Sequence, residues 1–229
     1  IGVFSMEMPK RQVFARLMAL VSQIHLGRIK RGERLTDNDW PYISDAVEQI
    51  SRAPISINDR GGLNINQVRA SARALRRRRG KLGLLVVDYL GLMTGTDPKQ
   101  SRTYQLEEAS GGLKSLAKEL DCPILLLAQL NRKVEERLDQ MPLLSDLRDS
   151  GAIEQDADIV IFVHRPIKAK PDLGSEWANY AKCSVAKLRD GEPGYLDLMY
   201  HGSQTRFCDW PAHEPVPTSQ VRVSRTKDL

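Results

Sequence analysis

Short apolar runs set between amphipathic stretches constrain the fold of this chain more than any other feature. Residues 82–87 and Ile159-Val160-Ile161-Phe162-Val163 are almost unbroken in apolar side chains, and residues 123–128 form a third such run. Strands of this composition read as covered on both faces, as in a parallel sheet layered with helices. Between the first and third runs, residues 101–120 carry Leu106, Ala109, Leu113, Leu116, Ala117 and Leu120 on one helical stripe. Upstream, residues 1–5 and 55–58 read as strands, and residues 11–26 as a helix entered through Pro9. A further helix is expected from Thr36, where Asp39 completes a capping box and Trp40, Ile43, Val47 and Ile50 recur at helical spacing. Residues 64–79 form another, closed by Arg76-Arg77-Arg78-Arg79-Gly80, with cations at the negative end of the helix dipole and glycine as the stop.

This alternation predicts β-α-β crossovers and an α/β fold: a doubly wound, mostly parallel sheet with helices on both faces. Residues 183–188 and 195–200, joined through Asp190-Gly191, read as a late antiparallel hairpin that extends the sheet at one edge. The segment 209–229 is rich in proline and polar residues and reads as an extended or mobile tail, which leaves 1–208 as one domain.

In such a fold ligands gather beyond the carboxyl ends of the strands. Glu7, Asp88 and Gln129 each follow a predicted strand, so one sheet brings them to a common edge although they lie far apart in sequence. An aspartate there suits Mg²⁺ held through its water shell. A glutamate suits activation of water, and a glutamine amide, both donor and acceptor, suits detection of a phosphate. Taken singly, each is equally well a polar strand end that caps a helix.

Four segments in this order, Ser5-Met6-Glu7-Met8-Pro9, Val86-Val87-Asp88-Tyr89-Leu90, Ala128-Gln129-Leu130-Asn131-Arg132 and Asp146-Leu147-Arg148-Asp149-Ser150-Gly151, resemble the motor domain of DnaB-type replicative DNA helicases, a RecA-like ATPase core. The resemblance runs over residues 1–207. It implies an ATP- and Mg²⁺-dependent DNA helicase in which Glu7 is the catalytic glutamate, Asp88 the metal-holding Walker B aspartate and Gln129 the phosphate sensor. It implies that Lys187 and Arg189, on the hairpin tip, reach in trans into a neighbour's ATP site, and hence a homo-hexameric ring. Arg148, Asp149 and Gly151 would grip phosphates of single-stranded DNA, with Arg102 in a second channel loop. The family usually carries Glu at the position of Asp149, which shortens that carboxylate's reach. A primase and a helicase loader are the expected partners, and the cytoplasm of a bacterial or phage-infected cell the expected setting.

One motif of such a motor is missing from the sequence. The G-x-x-x-x-G-K-[ST] phosphate loop does not occur, and Gly80-Lys81-Leu82 lacks both the upstream glycine and the hydroxyl residue. In the family this loop precedes the strand matched by residues 1–5, so the chain reads as cut into ahead of Ile1 and inactive as it stands. A non-catalytic DNA-binding or ring-assembly subunit, or another RecA-like ATPase, are the competing readings. The remaining composition excludes other chemistries. No apolar run nears the roughly 18 residues of a membrane span. Cys122, Cys183 and Cys208 are odd in number and widely spaced, and the four histidines show no metal-ligand or nucleophile-base spacing. A net charge of +5 is compatible with a polyanionic partner.

Overall fold

A computed structural model describes residues 1–32, 34–147 and 151–218. Two four-stranded sheets organise the chain. In the first, β1 (Gly2–Ser5), β2 (Ser56–Asn58), β3 (Leu85–Asp88) and β4 (Ile124–Leu126) run parallel in the order β2-β1-β3-β4. Helices α1 (Lys10–Ser22), α2 (Leu26–Arg31) and α3 (Trp40–Arg52) lie between β1 and β2, α4 (Ile65–Arg79) between β2 and β3, and α5 (Arg102–Leu120) between β3 and β4. Parallel strands need such crossovers, as the sequence predicts.

The core lies where α4 and α5 meet this sheet. Phe4, Leu85 and Val87 are buried with Val68, Ala72 and Leu75 of α4 and Leu113, Leu116 and Leu120 of α5. The helices approach closely because Gly112 has no side chain: a Cβ there would sit 2.4 Å from Ile65 of α4. Asn64 caps α4 by accepting from the Gln67 N–H while Gln67 returns the bond, and Gly80 closes the other end at φ 78°.

Three expectations need correction. Residues 11–26 do not form one helix: α1 stops at Ser22, Gln23 takes φ 57°, and His25 caps a separate α2. The late hairpin does not extend the parallel sheet. Its strands β6 (Tyr180–Leu188) and β7 (Gly194–His201) pair antiparallel with β5 (Ile159–His164) and β8 (Arg206–Asp209), giving a second sheet in the order β5-β6-β7-β8. Nor is 159–163 buried on both faces. Val160 and Phe162 are buried, whereas Ile159, Ile161 and Val163 are each more than half exposed. The short helix α6 (Gly151–Asp156) leads into β5, and α7 (Pro166–Ala169) follows it. Beyond β8, Trp210 stacks edge-on against Tyr180, whose ring also meets Trp177, so the first residue past this sheet is packed against it.

Candidate functional site

The sheet order places β1, β3 and β4 side by side, and their register sets the site. Ser5 pairs with Asp88, and the Met6 N–H donates to the Asp88 carbonyl at 2.8 Å. Glu7 therefore emerges one residue beyond a point hydrogen-bonded to Asp88. The turn that carries it is held by the Ser5 hydroxyl, which donates to the Met8 carbonyl at 2.8 Å. It is also held by Asp59, whose carboxylate accepts the Lys10 N–H at 2.9 Å at the start of α1. On the other side the Leu127 N–H donates to the Val87 carbonyl at 3.0 Å, and Gln129 lies exposed two residues further on. The three predicted residues thus share the carboxyl edge of three adjacent strands.

Partial burial, then the charge of Glu7, push the Asp88 carboxyl up, while Arg16 on α1 pulls the other way. Two carboxylates that repel each other at a strand edge form a site that a cation would relieve. No group of three or more His, Cys, Asp or Glu among the described residues could cage a metal. The donors fit Mg²⁺, which takes one or two carboxylates and fills its octahedron with water and phosphate oxygens. Gly80 and Lys81 play no part, because they lie between the end of α4 and the start of β3, at the opposite edge of the sheet.

A stability change follows from this repulsion. A carboxyl whose folded value is raised above its unfolded value costs the fold stability as pH climbs through the unfolded value. Asp88→Asn should accordingly raise Tm at pH 7 by about 1–3 °C, and the gain should shrink as pH falls towards the unfolded carboxylate value and vanish below about pH 3, where wild-type Asp88 is protonated in both states. Thermal denaturation at the two pH values measures it. An unchanged or lower Tm at pH 7 would remove the claimed repulsion.

Beyond Gln129 the chain makes a closed excursion. Leu130 and Leu147 form an isolated antiparallel bridge, and the Asn131 N–H donates to the Asp146 carbonyl at 2.8 Å. Asp146 is buried, chelated by the Arg137 guanidinium, and accepts the Leu143 N–H at 2.8 Å. The Arg137 hydrogen bond holds the Asp146 carboxyl below the usual carboxylate range. Leu147 is thereby returned beside Leu130, the residue after Gln129. Arg148 and Asp149 lie outside the described residues, and Gly151 opens α6.

Arg102 starts α5 and donates to the carbonyls of Gly91 at 2.7 Å and Met93 at 2.8 Å, so its guanidinium braces the loop that follows Asp88. Lys187 and Arg189 belong to the second sheet. Lys187 donates to the Glu154 carbonyl, and Arg189 pairs with Asp158 at 2.8 Å. Sequence reasoning missed Arg16, Asp59 and Arg137. For Arg16 a signal existed: it lies three residues after Val13 and four before Leu20, in line with apolar positions of α1. For the other two nothing local marks them, since their partners are set by the fold.

Comparison with known proteins places this arrangement. Residues 1–209 match the family model described as DnaB-like helicase C terminal domain. The replicative DNA helicase DnaB of Pasteurella multocida is 39% identical over 206 residues, covering 90% of this chain and 44% of the relative. That of Mycobacterium leprae is 46% identical over 209 residues, covering 90% of this chain and 34% of the relative. The chain therefore spans less than half the length of these relatives. Among solved structures, one ATPase domain superposes with a TM-score of 0.86 at 35% identity, covering 92% of this chain and 74% of that one. A DnaB-like replicative helicase studied for its interactions with primase gives 0.86 at 34% identity, covering 92% and 50%. With the doubly wound sheet and the site edge already in place, these matches establish that the chain belongs to the DnaB-like helicase C-terminal domain family.

Proposed function

We propose that this chain is the motor of a bacterial or phage replicative helicase, which couples ATP hydrolysis to movement along single-stranded DNA within a homo-hexameric ring. The observation that carries the reading is a division of labour between the sheets. Glu7, Asp88 and Gln129 share one strand edge, whereas Lys187 and Arg189 stand on the hairpin of the other sheet. The charges that act on Asp88 are those of Glu7 and Arg16, while Arg189 acts on Asp158. A subunit built this way offers a base and a metal ligand at one place and cations at another, and adjacent copies complete each other's sites.

In that site Glu7 orients the attacking water and accepts its proton, Asp88 would hold Mg²⁺, and the Gln129 amide reads the terminal phosphate. The magnesium ion, when bound, neutralises triphosphate charge. Lys187 and the planar guanidinium of Arg189 meet the phosphoryl oxygens of the neighbour's nucleotide as charge builds on them. Such a site also requires a phosphate loop, and none occurs within residues 1–229. The bridge from Leu130 to Leu147 supports a link between nucleotide and DNA, because it joins the residue after the phosphate sensor to the residue that precedes Arg148 and Asp149 in sequence, and those two with Gly151 would meet the DNA backbone. Arg102 serves the second channel loop by bracing it. The cytoplasm, where replication occurs in bacteria, is the setting this role implies. Primase is the expected partner by likeness to the structural relative, and a loader by the needs of a closed ring. No helix among the described residues is long and apolar enough to cross a membrane.

Mixed rings test this reading. Full-length Glu7→Gln subunits and Arg189→Ala subunits should each be nearly inactive alone, and mixtures should recover ATP turnover, because some interfaces then pair an intact Glu7 with an intact Arg189. Mixing ratios followed by steady-state ATPase, with hexamers verified by sedimentation, give the result. Mixed hexamers with no recovery would refute action in trans.

A further inference from the structure

Arg189 is the residue asked to reach into a neighbouring site, yet more than half of its side chain is open to solvent. A bare arginine at a hairpin tip samples many rotamers, and each approach to a phosphate would cost that freedom again. The structure contains a device that limits it. The Arg189 N–H donates to the Asp158 carbonyl at 2.9 Å, and its Nη1 stands 2.8 Å from the Asp158 Oδ1 in an ion pair. Backbone and side chain are thus tied to the same residue. Asp158 is itself held from behind by Lys114 of α5, which donates to Oδ2 and is mostly buried. One turn earlier on α5, the Ser110 hydroxyl donates to Asp156 at 2.7 Å. The same end of α6 receives Lys187 through the Glu154 carbonyl.

We infer that Lys114 and Asp158 are positioning residues for Arg189, forming a relay from α5 that fixes where the guanidinium stands before it meets the neighbour's nucleotide. This rests on the trans role proposed above and goes beyond it by naming what aims the cation. The chemistry suits the task. A guanidinium has five N–H donors, more than one carboxylate can use, so an arginine paired through Nη1 with Asp158 retains donors for phosphate oxygens. Lys114 spends its charge on Asp158, and the Lys114 hydrogen bond is the largest influence holding the Asp158 carboxyl below its usual range. Asp158 therefore stays ionised through the neutral range and keeps its grip on Arg189. An isolated surface ion pair would do little. Here the carboxylate is anchored to a 19-residue helix before the arginine joins it.

The relay predicts an asymmetry in mixed rings of the full-length protein. In the Glu7→Gln plus Arg189→Ala mixture, every active interface takes its arginine from the Glu7→Gln subunit. Asp158→Asn placed in that arginine-donating subunit should cut the recovered ATPase by about tenfold or more. The same change in the Arg189→Ala subunit should leave recovery within about twofold, because no arginine remains there to aim. Lys114→Met should reproduce the asymmetry, which guards against a peculiarity of one substitution, and melting curves of each variant check that it folds. Equal losses in both placements would make Asp158 a structural residue only, and no loss in the donor would discard the relay. Failure of the parent mixture to recover would sink the trans reading and this inference with it, so the two failures are distinguishable.

Discussion

Arg189→Ala in rings of the full-length protein should lower ATP turnover by about 10³-fold or more while nucleotide still binds, since a trans-acting arginine of this kind is worth that much in phosphoryl transfer. The loss should fall on kcat, because the guanidinium meets charge that develops only as the phosphoryl group departs. Arg189→Lys should recover little, for a lysine keeps the charge and the backbone bond to Asp158 but loses the planar fork and the guanidinium's ion pair with that carboxylate. Steady-state turnover beside fluorescent-nucleotide titration separates the two effects. Equal losses in binding and turnover would place Arg189 in ground-state recognition instead.

The largest effect on folding is expected at Arg137. Its guanidinium chelates Asp146, whose side chain is only 4% exposed, and removing it leaves a buried carboxylate with backbone partners alone. Arg137→Ala should cost about 3 kcal/mol, or roughly 6–12 °C in Tm. The folded value of Asp146 is depressed, so the pair's stabilisation is present above the unfolded carboxylate range and is lost as pH falls through the folded value. The gap between wild type and variant should therefore narrow below about pH 4. Arg137→Ala with Asp146→Asn should recover part of the loss, since the stranded charge is gone. A single variant that melts within 2 °C of wild type, by a rough reading of the same scale, would show that the excursion from Leu130 to Leu147 does not depend on this pair.

The edge formed by Glu7, Asp88 and Gln129 was legible in sequence because parallel strands turn distant residues into neighbours by a simple rule, and each of the three lies at, or within three residues of, the carboxyl end of its strand. The grouping of β5 with the hairpin was not. An apolar run such as 159–163 has the same composition whether it pairs with parallel or antiparallel neighbours, and only the pairing of Val163 with Cys183 and of Ile159 with Leu188 decides. The break after α1 was hidden too. Gln23 adopts a left-handed conformation without being glycine or asparagine, so residue type gave no warning. The relay from Lys114 to Arg189 joins residues 75 positions apart through Asp158, and no periodicity reports such a contact.

The outermost strands have a practical consequence for work with residues 1–229 alone. Among the described residues β4 and β5 each end a sheet, and each bears bare aliphatic side chains: Leu125 and Leu127 at β4, Ile159, Ile161 and Val163 at β5. Unpaired amides beside exposed leucine and isoleucine are templates for strand addition, with no proline or lysine within β4 or β5 to discourage it. Concentrated samples of this piece would gel or precipitate by edge-to-edge stacking, and a light-scattering signal from such material would reflect sticky margins rather than ring formation.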